Sequence, residues 1–253
     1  MPFENNWFLY HFFAPQGRYE ACGMFTTPHL IAAFTAIALV FVLLTLYKKG
    51  LFAPEIGKLT RSLAIIVTIL ELIKISHSFL YGDLYLDAWF PLSYCGLFIF
   101  ALWMASFGTN IIGKIGRIFI AYGCPFAGLA FLIFPTTSLM NFPVWHYFSI
   151  YSLLFHFLMI YLGVIYLFNE ESFGLKTFCC YSLFVLFFAI PAISLNCAFD
   201  SNLMNLREPY NIPIQLIQNL YSFSSILYTI VVIFLYMLIP IIVAAVFKKF
   251  KKS

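Results

Sequence analysis

Charge is what this sequence has least of. Only 9% of its 253 residues are Asp, Glu, Lys or Arg, where a soluble domain carries about 25%. That scarcity excludes a separate water-soluble domain. Paired cysteine spacing is missing as well: the six cysteines are scattered, no CxxC occurs, and Cys179 and Cys180 are chain neighbours, which do not normally bridge each other. Neither a disulfide framework nor a metal site is expected, and no cofactor is implied. The N-terminal stretch MPFENNWFLYHFFAPQGRYE lacks a basic start, a clean apolar core and a small-residue cleavage site, so it does not read as a signal peptide. An internal repeat, common in transporters, is also absent. The net charge of +4 sits largely in two clusters and calls for no nucleic-acid partner.

What the chain has is apolar length. Hydrophobic residues make up 63% of it, in recurring runs of about 20 residues that suit a bilayer core. The reading is all-α: a polytopic membrane helix bundle in the cell membrane, one integral domain over 1–253, with membrane lipids as its surroundings. Residues 1–27 form an interfacial segment and 248–253 a basic tail. The expected spans run over 28–47, 59–81, 88–107, 111–134, 144–168, 175–198 and 213–247, about seven in all. The last is too long for one crossing and predicts an interfacial turn after Pro213 and a kink or end near Pro240. Lys48, Lys49, Lys58 and Arg61, then Lys114 and Arg117, then the tail lysines fall on one side of seven spans. Basic short loops are cytoplasmic, which gives N-outside and C-inside.

Polar residues inside spans gather toward the outer half. His29 starts span one, His77 lies near the outer end of span two, Cys95 sits in span three, and His146 and His156 lie on span five. Asn196 and Asn202 flank the outer end of span six. Glu71 and Lys74 lie deep in span two, on one helix face with His77 and Ser78. A mid-membrane charge costs at least about 2.5–3.5 kcal/mol, so these two are expected to neutralise each other, either as a packing pair or as one wall of a polar cavity. A lone membrane cysteine is usually a small buried hydrophobe. Cys95 differs in its context. If Pro91 opens span three, Cys95 lies in the first turns of a helix, where the partial positive charge favours an anionic sulfur. His156 is a candidate base for it.

These motifs resemble the YwaF-like integral membrane proteins, bacterial relatives of a eukaryotic transmembrane acyltransferase. The stretch TPHL at 27–30 is similar to that family's first-span PxHL, and Pro91-Leu92-Ser93-Tyr94-Cys95 to its Pro-Leu-x-x-Cys. SIYSLLFHFLM carries the span-five histidine as His156, and NLMNLREP at 202–209 is similar to its late NYxFLxxKP loop. Ser93 and Tyr94 stand where the family often has a histidine, and Leu203 replaces the usual Tyr. The resemblance implies an acyl-carrying cysteine with histidine as its base. The fold also looks similar to membrane lipid hydrolases with a Thr–His pair.

The resulting expectation is a lipid-active acyltransferase or hydrolase. Cys95 attacks a phospholipid ester, His156 takes the thiol proton, Asn196 or Asn202 donates to the oxyanion, and His29 or His77 orients the head group. The alternative is a small-solute carrier with its site at Glu71, Lys74 and His77, or a non-catalytic membrane protein. Absence of a repeat weighs against the carrier.

Overall fold

The computed structural model describes residues 5–51, 54–169 and 173–252, with the last five of these described as backbone only. The first four residues of the interfacial segment, Ser253, and the side chains of the basic tail therefore lie outside the described residues. Everything regular among those described is helical. A short helix, α1 (Trp7–Phe12), precedes α2 (Thr27–Lys48) and α3 (Ile56–Tyr81). Then come α4 (Leu86–Trp89), α5 (Leu97–Phe107), α6 (Asn110–Tyr122), α7 (Cys124–Ile133), α8 (Ser138–Asn141), α9 (Tyr147–Asn169), α10 (Leu175–Phe199), α11 (Gln215–Phe223) and α12 (Ser225–Lys252).

Local chemistry sets the boundaries. The Thr26 hydroxyl accepts the His29 N–H at the start of α2, with a proline in its first turn, a standard N-terminal arrangement. Gly82 ends α3 in the left-handed conformation at φ 80°, which costs glycine little. Gly123 and Pro125 interrupt the expected fourth span, which is α6 followed by α7. The expected last span divides in the same way. Ser224 is extended (φ −162°, ψ 119°), so α11 is a separate helix after Pro213. Contrary to the expected end near Pro240, α12 runs through that proline.

Six helical stretches among the described residues are long and apolar enough to cross a membrane, and the chain is a multi-pass membrane helix bundle. The expected third span is the exception. It contains only the 11-residue α5, about 16 Å long at 1.5 Å per residue, roughly half of a hydrocarbon core. Yet the chain changes ends here. His29 at the start of α2 bonds to Leu132 at the end of α7, and His77 near the end of α3 and His146 before α9 both bond to Ala14. Those four helix ends therefore lie at one face, called here the amino-terminal face. Asn211 extends the same face by bonding to Thr136. The segment from Tyr81 to Asn110 must then pass from this face to the other, as irregular chain followed by a half-helix.

The apolar interior has two parts. One lies between α3, α5, α6, α9, α10 and α12, the other between α2, α7 and α9. The central helices α6 and α9 are largely buried, and α2 and α12 mostly face outward. Lipid tails are as apolar as leucine, so close van der Waals fit must hold such a bundle. Gly116 shows the fit: a Cβ there would lie 2.6 Å from the Ala101 carbonyl oxygen and 2.7 Å from the Ala105 nitrogen. Backbones of α5 and α6 touch at that point.

Candidate functional site

The half-helix positions Cys95. Leu92 N–H bonds to the Phe90 carbonyl at 2.8 Å, and Ser93 Oγ then accepts the Gly96 N–H at 2.9 Å. Leu97 N–H closes on the Ser93 carbonyl at 3.1 Å. Ser93 therefore closes a tight turn over 93–96 that leads into α5, whose N-cap is Gly96 with no side chain capping it. The expectation that Pro91 opens the helix is corrected: α5 starts at Leu97. Pro91 belongs to the tight bend before it: a Cβ on Gly96 would meet the Pro91 carbonyl oxygen at 2.5 Å. Cys95 lies in that turn, two residues before α5, its carbonyl accepting the Phe98 N–H at 3.0 Å. Taking α5 as about 16 Å long, the thiol lies near mid-depth rather than well into one half.

Three tyrosines and a buried loop surround that turn. Tyr94 stacks on Tyr236 with ring centroids 4.4 Å apart, and its hydroxyl bonds to that of Tyr181. The loop after α10 reaches down to meet them. Ser201, Leu203, Met204 and Leu206 are buried. Met204 N–H bonds to the Leu92 carbonyl at 3.2 Å, and the Tyr236 hydroxyl donates to the Met204 carbonyl at 2.8 Å. Asp200, Met204 and Asn205 all have φ between 52° and 56°; Asp and Asn adopt this left-handed conformation readily, whereas Met204 holds it only where its surroundings impose it. Irregular backbone at membrane depth survives only where it is buried in protein or lines a cavity. Asn196 and Asn202 build this loop. Asn196 Oδ1 accepts from Leu203 N–H and Ser201 Oγ–H, and its amide donates to the Leu203 carbonyl. Asn202 bonds to the backbones of Arg207 and Glu208. An oxyanion role would fall to the remaining amide hydrogen of each.

His156 lies on α9, buried, with its ring 3.7 Å from that of Phe131 and nearly parallel to it. Its Nδ1–H donates to the Ser152 carbonyl at 2.7 Å. The other nitrogen, Nε2, therefore carries the lone pair, and it is buried with no hydrogen-bond partner. The structure does not join Cys95 to His156 by a hydrogen bond. Ring contacts connect the two regions instead, from Phe98 to Phe155 (5.4 Å) and from Phe155 to His156 (5.5 Å).

The remaining residues form a second cluster near the amino-terminal face. Glu71 and Lys74 are paired, Oε1 to Nζ 2.5 Å, and Glu71 Oε2 accepts the Tyr151 hydroxyl at 2.6 Å. Tyr147 reaches the neighbouring Leu70 carbonyl at 2.6 Å. His77 Nε2–H is shared between the Phe13 and Ala14 carbonyls at 3.2 and 3.3 Å, and His146 Nε2–H donates to Ala14 at 3.0 Å. These two rings clamp the N-terminal segment over α3 and α9. His29 is fully engaged, accepting from Phe25 N–H and donating to the Leu132 carbonyl, both at 3.0 Å. It ties α2 to α7. Sequence reasoning missed Ser93, Tyr94, Tyr147, Tyr151, Tyr181 and Tyr236. A serine three residues before a glycine is a turn signal; tyrosines in aromatic-rich spans gave no separate signal.

The model of the TMEM164 family matches residues 24–242. The chain belongs to the TMEM164 family. The matched stretch contains Cys95, His156 and both polar clusters, and begins after α1. No curated protein and no solved structure matches the chain.

Proposed function

We propose that this multi-pass protein transfers or hydrolyses lipid acyl groups through Cys95, as its resemblance to the YwaF-like branch suggests. The observation that carries the reading is the broken third span: a thiol in the turn that leads into a half-length helix, near mid-depth, under a buried loop. Such breaks place chemistry in transporters and enzymes, because a half-helix N-terminus offers partial positive charge inside the membrane. The imidazole of His156 supports it, with Nδ1–H held by a carbonyl and Nε2 unengaged, the tautomer that a general base needs.

In the first step Cys95 Sγ bonds to the acyl carbon of a phospholipid ester and its proton goes to His156 Nε2. The ester C–O bond breaks and the leaving lipid hydroxyl takes that proton. A lysolipid hydroxyl, or water, then gives its proton to His156 and bonds to the acyl carbon as the C–S bond breaks, and His156 returns that proton to the Cys95 sulfur. The cell membrane, with the amino-terminal face outside, is the proposed setting, from the basic loops on the other side. The test is acyl exchange between labelled phospholipid and lysolipid in proteoliposomes. Wild type should exchange label, Cys95→Ser should not, and His156→Ala should be slowed at least tenfold. Equal exchange by Cys95→Ser removes the reading.

A further inference from the structure

Outside the Cys95 region, an open groove of about 450 Å³ lies between the N-terminal segment and the start of α9. Aromatic rings wall it: Trp7, Phe8, His11, Phe12, Tyr19 and Trp145, with Ile150 as the single aliphatic wall. Rings merely marking a membrane boundary would point separately into the interface. These converge. Tyr19 meets Trp145 edge-on at 5.1 Å, Trp7 lies 4.7 Å from His11, and His11 Nδ1 bonds to the Tyr19 hydroxyl. The Arg18 guanidinium lies over Tyr10 at 4.0 Å and 5.8 Å from the Tyr19 ring, so a cation borders the rim. Residues 7–19 precede the stretch matched by the family model, so most of this groove belongs to a part of the chain outside that match.

We infer that the groove binds the head group of a choline phospholipid, its quaternary ammonium among the rings and its phosphate against Arg18. The argument is charge complementarity at both ends of a zwitterion. Faces of Trp, Tyr and Phe attract a cation through their quadrupoles, and aromatic cages are a recurring solution for quaternary ammonium groups. A guanidinium at the rim suits a phosphate through N–H groups beyond those it directs at Tyr10 and Tyr19. A primary ammonium fits less well. It brings three N–H donors, while the indole nitrogens of Trp7 and Trp145 can only donate and His11 Nδ1 is bonded to the Tyr19 hydroxyl, so few acceptors are left in the lining. A phosphoglycerol head group offers nothing to the rings. The amino-terminal face puts the groove where head groups lie, beside the first turns of α9, and the acyl chains would run along the exposed Ile150 and Leu154.

Native mass spectrometry of the detergent-solubilised full chain tests this with equimolar phosphatidylcholine, phosphatidylethanolamine and phosphatidylglycerol. The chain should retain one phosphatidylcholine at least fivefold more often than either of the others. Trp145→Ala and Arg18→Gln should each lower that retention about fivefold, while Trp145→Phe and Arg18→Lys keep most of it. Trp145 is 43% exposed and Arg18 is exposed, so these variants should fold, and unchanged melting verifies it. Cys95→Ser should retain the lipid as wild type does, which separates this site from acyl transfer. Equal retention of the three lipids, retention unaffected by Trp145→Ala, or capture of free phosphocholine as readily as of the lipid would overturn the proposal.

Discussion

Replacing Glu71 by Gln should destabilise the protein by about 3 kcal/mol, and adding Lys74→Met should recover most of that loss. Gln keeps an oxygen acceptor for the Tyr151 hydroxyl, now 2.6 Å from Oε2, and removes only the charge opposite the Lys74 ammonium. Breaking one side of a buried pair costs about 3–5 kcal/mol, because the partner is left charged without compensation. The lower end applies here, since the Lys74 side chain is 21% exposed and can shift its ammonium toward the interface on its methylene stem. In the double variant both charges are gone and the volumes are nearly kept, so it should lie within about 1 kcal/mol of wild type. The assay is equilibrium unfolding in mixed micelles with increasing sodium dodecyl sulfate, followed by tryptophan fluorescence. If the double variant is at least as unstable as Glu71→Gln alone, the ion pair does not hold α3 in place and the reasoning fails.

Three further outcomes are expected. His29→Ala should cost about 1–3 kcal/mol in the same unfolding assay, since it orphans the buried Leu132 carbonyl at the α2–α7 contact and removes the acceptor of the part-buried Phe25 N–H; a loss under 0.5 kcal/mol contradicts that role. Gly116→Ala should destabilise by at least about 1–3 kcal/mol, the usual overpacking range, because its Cβ would press on backbone atoms of α5; wild-type melting would refute the contact. On a cysteine-free background, a cysteine at position 86 should react with an impermeant reagent in intact cells, and one at position 49 only after permeabilisation; the reverse pattern inverts the orientation.

The sequence made the long helices legible because lipid burial writes itself as unbroken apolar length. It concealed the half-helix for the same reason. Residues 89–107 are apolar whether helical or not, and the break depends on the turn that Ser93 closes and on the Gly96 bend against Pro91. Gathering of His29, His77 and His146 at one face could be read from their depth in the spans, whereas the part of Asn196 and Asn202 in holding the buried loop after α10 could not. Their partners could not, because most are backbone carbonyls and N–H groups of distant segments, as with Ala14 and Leu132. The Glu71–Lys74 pair was visible at a spacing of three; Tyr151, contributed by another helix, was not. Likewise His156 was recognisable as a buried polar residue, but the bond to Ser152 that leaves Nε2 open depends on its rotamer.

Whether Cys95 carries an acyl group is decided most directly by intact-protein and peptide mass after incubation with a phospholipid donor and no acceptor. The account predicts an added acyl mass on the peptide containing Cys95, removed by neutral hydroxylamine, formed more slowly in His156→Ala and absent in Cys95→Ser. Equal acylation of Cys95 and the exposed Cys179, or none on either while lipid exchange proceeds, would contradict it.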